Sequence, residues 1–136
     1  MKRPWDDIIS ETAASVYRTA GFGGPTGLGK RPALLIIDVQ YRTVGRSPKP
    51  ILEALKEYPT SCGDAGWRSI RHIAELVKTF RDKELPVIYP FVAPKTEHDR
   101  GRYSDKMPRA MEIPMHGYEF VAEIAPHSKD IKLPKA

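Results

Sequence analysis

The chain has 136 residues, 22 Lys+Arg against 17 Asp+Glu, a formal charge of +5, one cysteine and 40% hydrophobic residues. That composition is too apolar for a disordered chain and has the length of one small domain. No apolar run approaches the roughly 20 residues that span a bilayer, and a single cysteine excludes an intrachain disulfide framework and a Cys-rich zinc site. The lone thiol suits a reducing, cytoplasmic compartment.

The basic excess is spread out. Residues 1–60 hold nine Lys/Arg and six Asp/Glu, and residues 61–136 hold thirteen and eleven. The densest stretch, with Arg100, Arg102, Lys106 and Arg109 around Tyr103, is interrupted by Glu97, Asp99 and Asp105. It reads as a solvated loop before it reads as a phosphate or carboxylate patch. Nucleic acid is not an expected partner, and neither is a membrane.

In chain order, Asp6 to Ala20 places Ile8, Ile9, Ala13, Val16 and Tyr17 at helical spacing, and Gly21 ends the pattern. Residues 21–29 (GFGGPTGLG) must be loop. Ala33 to Ile37 (ALLII) is a short apolar run bounded like a strand buried on both faces of a parallel sheet. The next 20 residues are mostly loop, with a short helix near Ile51–Lys56.

A stronger helix, capped by Ser61 or Asp64, runs to about Lys83, with Trp67, Ile70, Ile73, Leu76, Val77 and Phe80 as its apolar stripe. Pro86 to Tyr89 reads as a second strand. Strand, long helix, strand is a crossover unit, hence an α/β fold. Residues 93–117 form a long, polar, Pro-punctuated loop, a short helix covers 118–124, and a third strand begins near Asp130. Residues 1–30 then form a helix with a glycine-rich lead-in, and residues 31–136 the front part of an α/β domain. Two or three parallel strands with so few helices cannot cover both faces of their sheet, so something else is expected to complete it.

Candidate residues follow from position. Gly24 to Lys30 matches the opening of a phosphate-binding loop, but its glycines precede the strand instead of following it, and Arg31 stands where a Ser or Thr would hold magnesium. Asp38 ends the first strand, the edge where open α/β sheets place their sites. Cys62 near a helix start reads as a semi-buried structural thiol before a nucleophile. His72 reads as structural or solvated. His98, between Glu97 and Asp99, has no second ligand at a metal-binding spacing, and His116 and His127 carry no motif.

Several segments together resemble the isochorismatase-like cysteine hydrolases, most closely the branch containing N-carbamoylsarcosine amidohydrolase. AGFGGPTGLGKRPALLIIDVQ is similar to the family's first strand and its approach, YPTSCGDAGWRSIRHIAELVKTFRDKELPVIY to its first crossover helix and second strand, and EIAPHSKDIKLPKA to its approach to the catalytic lysine. The resemblance covers about residues 15–136. It implies a parallel, Rossmann-like sheet, an oligomer, no cofactor, and hydrolysis of a small amide or carbamoyl substrate by an Asp-Lys-Cys triad. It assigns Asp38 as the aspartate and Lys135 as the lysine, and it makes Arg42 or a basic residue of the 95–109 loop a candidate for a substrate carboxylate.

The family's cysteine lies beyond the lysine, so Cys62 is in the wrong segment to be the nucleophile. The expectation is an inactive isolated chain: either a shortened piece, or half of a processed or split protein whose second polypeptide brings the Cys. The second suits a folded protein better. Some relatives hold a metal through an Asp-x-His triplet that does not occur here, so no catalytic metal is expected. A non-catalytic scaffold or binding subunit is the alternative, although it would need neither Asp38 nor Lys135.

Overall fold

The computed structural model describes residues 6–27, 29–96 and 98–135. The chain divides into two compact units, residues 1–31 and 32–136.

In the first unit, helix α1 spans Glu11–Thr19. It is shorter than the sequence pattern because Ser10 stops it: the hydroxyl accepts from Ala13 N at 3.2 Å and satisfies a first-turn donor. Residues 6–9, expected in the helix, lie before this cap. The end is the expected one, with Gly21 at φ 78°. No residue of α1 is buried within this unit.

The second unit is a three-stranded parallel sheet in the order β1-β2-β3, flanked by helices: an α/β fold. β1 (Leu34–Leu35) pairs with β2 (Val87–Val92), and β2 pairs with β3 (Ile131–Lys135). The β1 ladder continues beyond its two named residues, since Ile36 N donates to Ile88 O at 2.8 Å and Asp38 N to Pro90 O at 2.9 Å. Thus ALLII delivers Asp38 to the carboxyl edge of the sheet, and the last strand delivers Lys135 level with Val92.

Between β1 and β2 run α2 (Tyr41–Val44), α3 (Ile51–Glu57) and α4 (Asp64–Asp82). α2 lies in a stretch expected to be loop. α4 has no side-chain cap: Gly63 occupies the cap, Asp64 is already helical and pairs with Arg68, and Ser61 accepts from Gly63 N. Ile70 and Val77 of α4 pack on Ile36, Val87 and Tyr89, with Val121 and Ile124 closing the core. Ile70 and Val77 stand seven residues, about two turns, apart on the helix, and Val87 and Tyr89 stand two apart on the strand, so one face of each element meets the other.

The opposite sheet face differs from the expectation for ALLII. Leu35 and Ile37 are 52% and 55% exposed, so this face of the strand is not buried. The 93–117 stretch is also more ordered than a plain loop. It holds α5 (Tyr103–Lys106) and 3₁₀ turns at Pro108–Met111 and Met115–Tyr118, and a further 3₁₀ turn at Ala122–Ile124 replaces the expected short helix. Prolines at 108 and 114 start these turns, where a missing N–H costs nothing.

Candidate active site

Asp38 leaves the ladder at φ 58°, a left-handed conformation that an L-residue adopts at a cost of about 1 kcal/mol or more. Lys135 Nζ donates to Asp38 Oδ2 at 2.7 Å. The other carboxylate oxygen, Oδ1, is buried and has no hydrogen-bond partner among the described residues. A buried, unpaired carboxylate oxygen is uncommon, because desolvation without a hydrogen bond is costly. The two side chains are 32% and 42% exposed, so the pair sits at the mouth of the sheet edge and not in the core.

Gln40 anchors this edge. It is fully buried; its Oε1 accepts from Val92 N at 3.0 Å, and its Nε2 donates to Val92 O at 3.1 Å and to Tyr118 O at 2.6 Å. One amide therefore ties the segment after Asp38 to the end of β2 and to the 3₁₀ turn at Met115–Tyr118. Sequence reasoning did not single out Gln40; the only local signal is an amide two residues past a strand-ending acid.

Arg42 is buried, 6% exposed, with its guanidinium 4.8 Å from the centre of the Tyr118 ring. It forms no hydrogen bond or ion pair with Asp38 or Lys135. Beyond Tyr118, a cavity of about 160 Å³ is bordered by Lys95, Arg100, Met111, Ile113 and Met115. Pro94, also on its wall, follows Ala93, whose N–H donates to Lys135 O at 3.1 Å, so the cavity adjoins the edge that holds the pair.

The remaining sequence candidates lie elsewhere. Cys62 is exposed, not semi-buried; its backbone N–H donates to Thr43 O, and its thiol meets neither Asp38 nor Lys135. His72 and His98 are exposed, and Glu97 lies outside the described residues. Asp99 Oδ1 accepts from Thr96 N and Oγ1, and these bonds hold its carboxyl below the usual range. His116 stacks on Tyr41 at 4.5 Å and meets Glu119 at 3.0 Å. His127 lies by the ion pair between Arg81 and Asp130, which closes the amino-terminal sheet edge together with Tyr89. Gly24 to Gly27 precede the sheet and open no helix. Among the described residues no group of three or more His, Cys, Asp or Glu side chains could hold a metal. None of their helices is long and apolar enough to cross a membrane.

No family model matches the chain, and no curated protein matches it. Among solved structures, the crystal structure of N-carbamoylsarcosine amidase from Thermoplasma acidophilum is similar, with a TM-score of 0.50, 23% identity and 78% of this chain covered. The match spans 52% of that chain, about half its length. The two proteins share the α/β fold.

Proposed function

We propose that this chain is part of an amidase-type cysteine hydrolase that cleaves a C–N bond in a small amide or carbamoyl compound. In this reading Asp38 and Lys135 belong to an Asp-Lys-Cys triad, and a second polypeptide brings the cysteine, making a cytoplasmic hetero-oligomer. The observation that carries it is the Asp38 carboxylate: one oxygen is held by Lys135, the other is buried and unpaired, and the backbone is left-handed at the carboxyl edge of a parallel sheet. Strain and an unmet acceptor at such an edge point to a group kept for chemistry.

The steps balance without a cofactor. Asp38 Oδ1 takes the thiol proton, and the thiolate attacks the carbonyl carbon. The tetrahedral oxyanion collapses, breaking the C–N bond, and the amine leaves with the proton that Asp38 held. Asp38 then takes a proton from water, which hydrolyses the thioester and regenerates the thiol. Lys135 holds the carboxylate in place and offsets the developing negative charge. An anionic substrate group has two cationic places to go: Arg42, buried against Tyr118, or Lys95 and Arg100 beside the small cavity. Lys95 and Arg100 suit this better, because the cavity is open to a ligand while Arg42 is packed.

The test is ammonia or amine release from a panel of N-carbamoyl amino acids and simple amides by the protein purified from its source. Activity that is lost on iodoacetamide treatment, on Asp38→Asn and on Lys135→Ala supports the reading. Activity that survives chelation and metal removal supports the absence of a catalytic metal. Amide hydrolysis by residues 1–136 alone, as a monomer, refutes the proposal.

A further inference from the structure

The parallel ladder between β1 and β2 runs out at the sheet edge that holds Asp38. Ile36 N donates to Ile88 O and Asp38 N to Pro90 O, so a regular ladder would continue with Val92 N donating to Asp38 O. Asp38 turns left-handed instead, at φ 58°, and its C=O accepts from Gln40 N at 3.0 Å. Pro90 has no N–H and gives β1 no rung of its own. The buried Gln40 amide closes this gap: its Oε1 accepts from Val92 N at 3.0 Å and its Nε2 donates to Val92 O at 3.1 Å. Val92 in turn stands level with Lys135 in the register of β2 and β3.

Asp38 follows β1 and Lys135 ends β3, and these strands are not neighbours. β2 lies between them, so the two side chains meet across two strand spacings, about 10 Å of sheet. The Asp side chain is short, so the place of the β1 end against Val92 sets whether it reaches Lys135 Nζ. None of the side-chain hydrogen bonds of Gln40 goes to either group. We propose that Gln40 is a positioning residue: its amide replaces the ladder rung lost at Asp38 and thereby holds the Asp38 carboxylate at bonding distance from Lys135. That geometry needs no assumption about the reaction, whereas its effect on turnover rests on the hydrolase reading.

The test is the rate at which limiting acetic anhydride acetylates Lys135 Nζ in the full chain, read by mass spectrometry. Lys49, 2.7 Å from Glu57, is the internal control. Asp38→Asn removes the charged partner and should raise the Lys135 rate about two- to fivefold, the range for loss of an exposed ion pair. Gln40→Leu should raise it to the same level with Lys49 unchanged, and the double variant should go no higher. Asp130→Ala, at the opposite sheet edge, weakens the fold without touching this clamp and should leave Lys135 at the unmodified rate. If Gln40→Leu does not fold, the unmodified chain in sub-denaturing urea decides: Val92 amide exchange and Lys135 acetylation should rise together, ahead of global unfolding. A Lys135 rate unchanged in Asp38→Asn or in folded Gln40→Leu, a rise as large in Asp130→Ala, or uncoupled responses in urea overturns the proposal. In the assembled protein made in its source cells, Gln40→Leu should lower kcat for amide hydrolysis about tenfold or more with KM within about twofold. A raised Lys135 rate in a protein that hydrolyses no amide refutes the hydrolase reading and leaves the positioning role of Gln40 standing.

Discussion

Lys135 Nζ reaches Asp38 Oδ2 at 2.7 Å across a sequence separation of 97 residues. Neither side chain is buried, and an ion pair at that exposure adds only about 0–1 kcal/mol to stability. Asn tolerates the left-handed backbone as well as Asp does. Asp38→Asn should therefore shift the unfolding free energy by less than about 1 kcal/mol while lowering amide hydrolysis by the assembled protein about 10²–10⁴-fold. Chemical denaturation and steady-state kinetics on the same preparation check both halves.

Gln40 is the opposite case, a buried amide with three main-chain partners. Gln40→Leu keeps the volume but leaves Val92 N–H, Val92 C=O and Tyr118 C=O without it. A loss of about 2–4 kcal/mol is expected in urea unfolding, with faster hydrogen exchange at Val92 as the local signature.

Glu84 sits at φ 52° after α4, where Leu85 N donates to Phe80 O and Glu84 N to Arg81 O. This is a helix end that favours glycine. Glu84→Gly should raise stability by about 0.5–1 kcal/mol, measured as a shift of the denaturation midpoint with unchanged slope.

Asp130 has a side chain only 5% exposed and is held by Arg81 and by His127 N at 2.8 Å. Asp130→Ala leaves the Arg81 guanidinium without its carboxylate at the start of β3. Arg81 is 22% exposed and partly rescued by water, so a loss near the low end for a broken buried pair, about 3 kcal/mol, is expected from thermal unfolding.

Tyr89 donates its hydroxyl to Ile124 O at 2.8 Å and accepts from Arg81. Burial raises its pKa above the ordinary 10.0, with Arg81 opposing. The folded state therefore prefers the neutral phenol. This contribution is complete below pH about 10 and is lost as pH rises through the raised folded value. Stability measured from pH 8 to 12 should fall less steeply in Tyr89→Phe, which at neutral pH is weaker by about 1 kcal/mol for the missing hydrogen bonds.

The α/β class was legible in the sequence because local patterns carry it. ALLII and PVIY are short apolar runs, and the stripe from Trp67 to Phe80 has helical spacing, so strand, helix and strand follow from side-chain periodicity alone. The position of Asp38 at a strand end was legible for the same reason. Local patterning does not say what Asp38 meets, because Lys135 arrives through two crossovers that no such pattern encodes; the family resemblance put both residues in one triad, and the tertiary structure supplies the 2.7 Å contact between them. It likewise turned Arg42 onto Tyr118 and buried Gln40 between two segments that lie far apart in sequence. ALLII shows the limit best. An unbroken apolar run says that both of its faces seek cover, but it cannot say which face this chain covers, since that depends on where α4 spends its single apolar stripe.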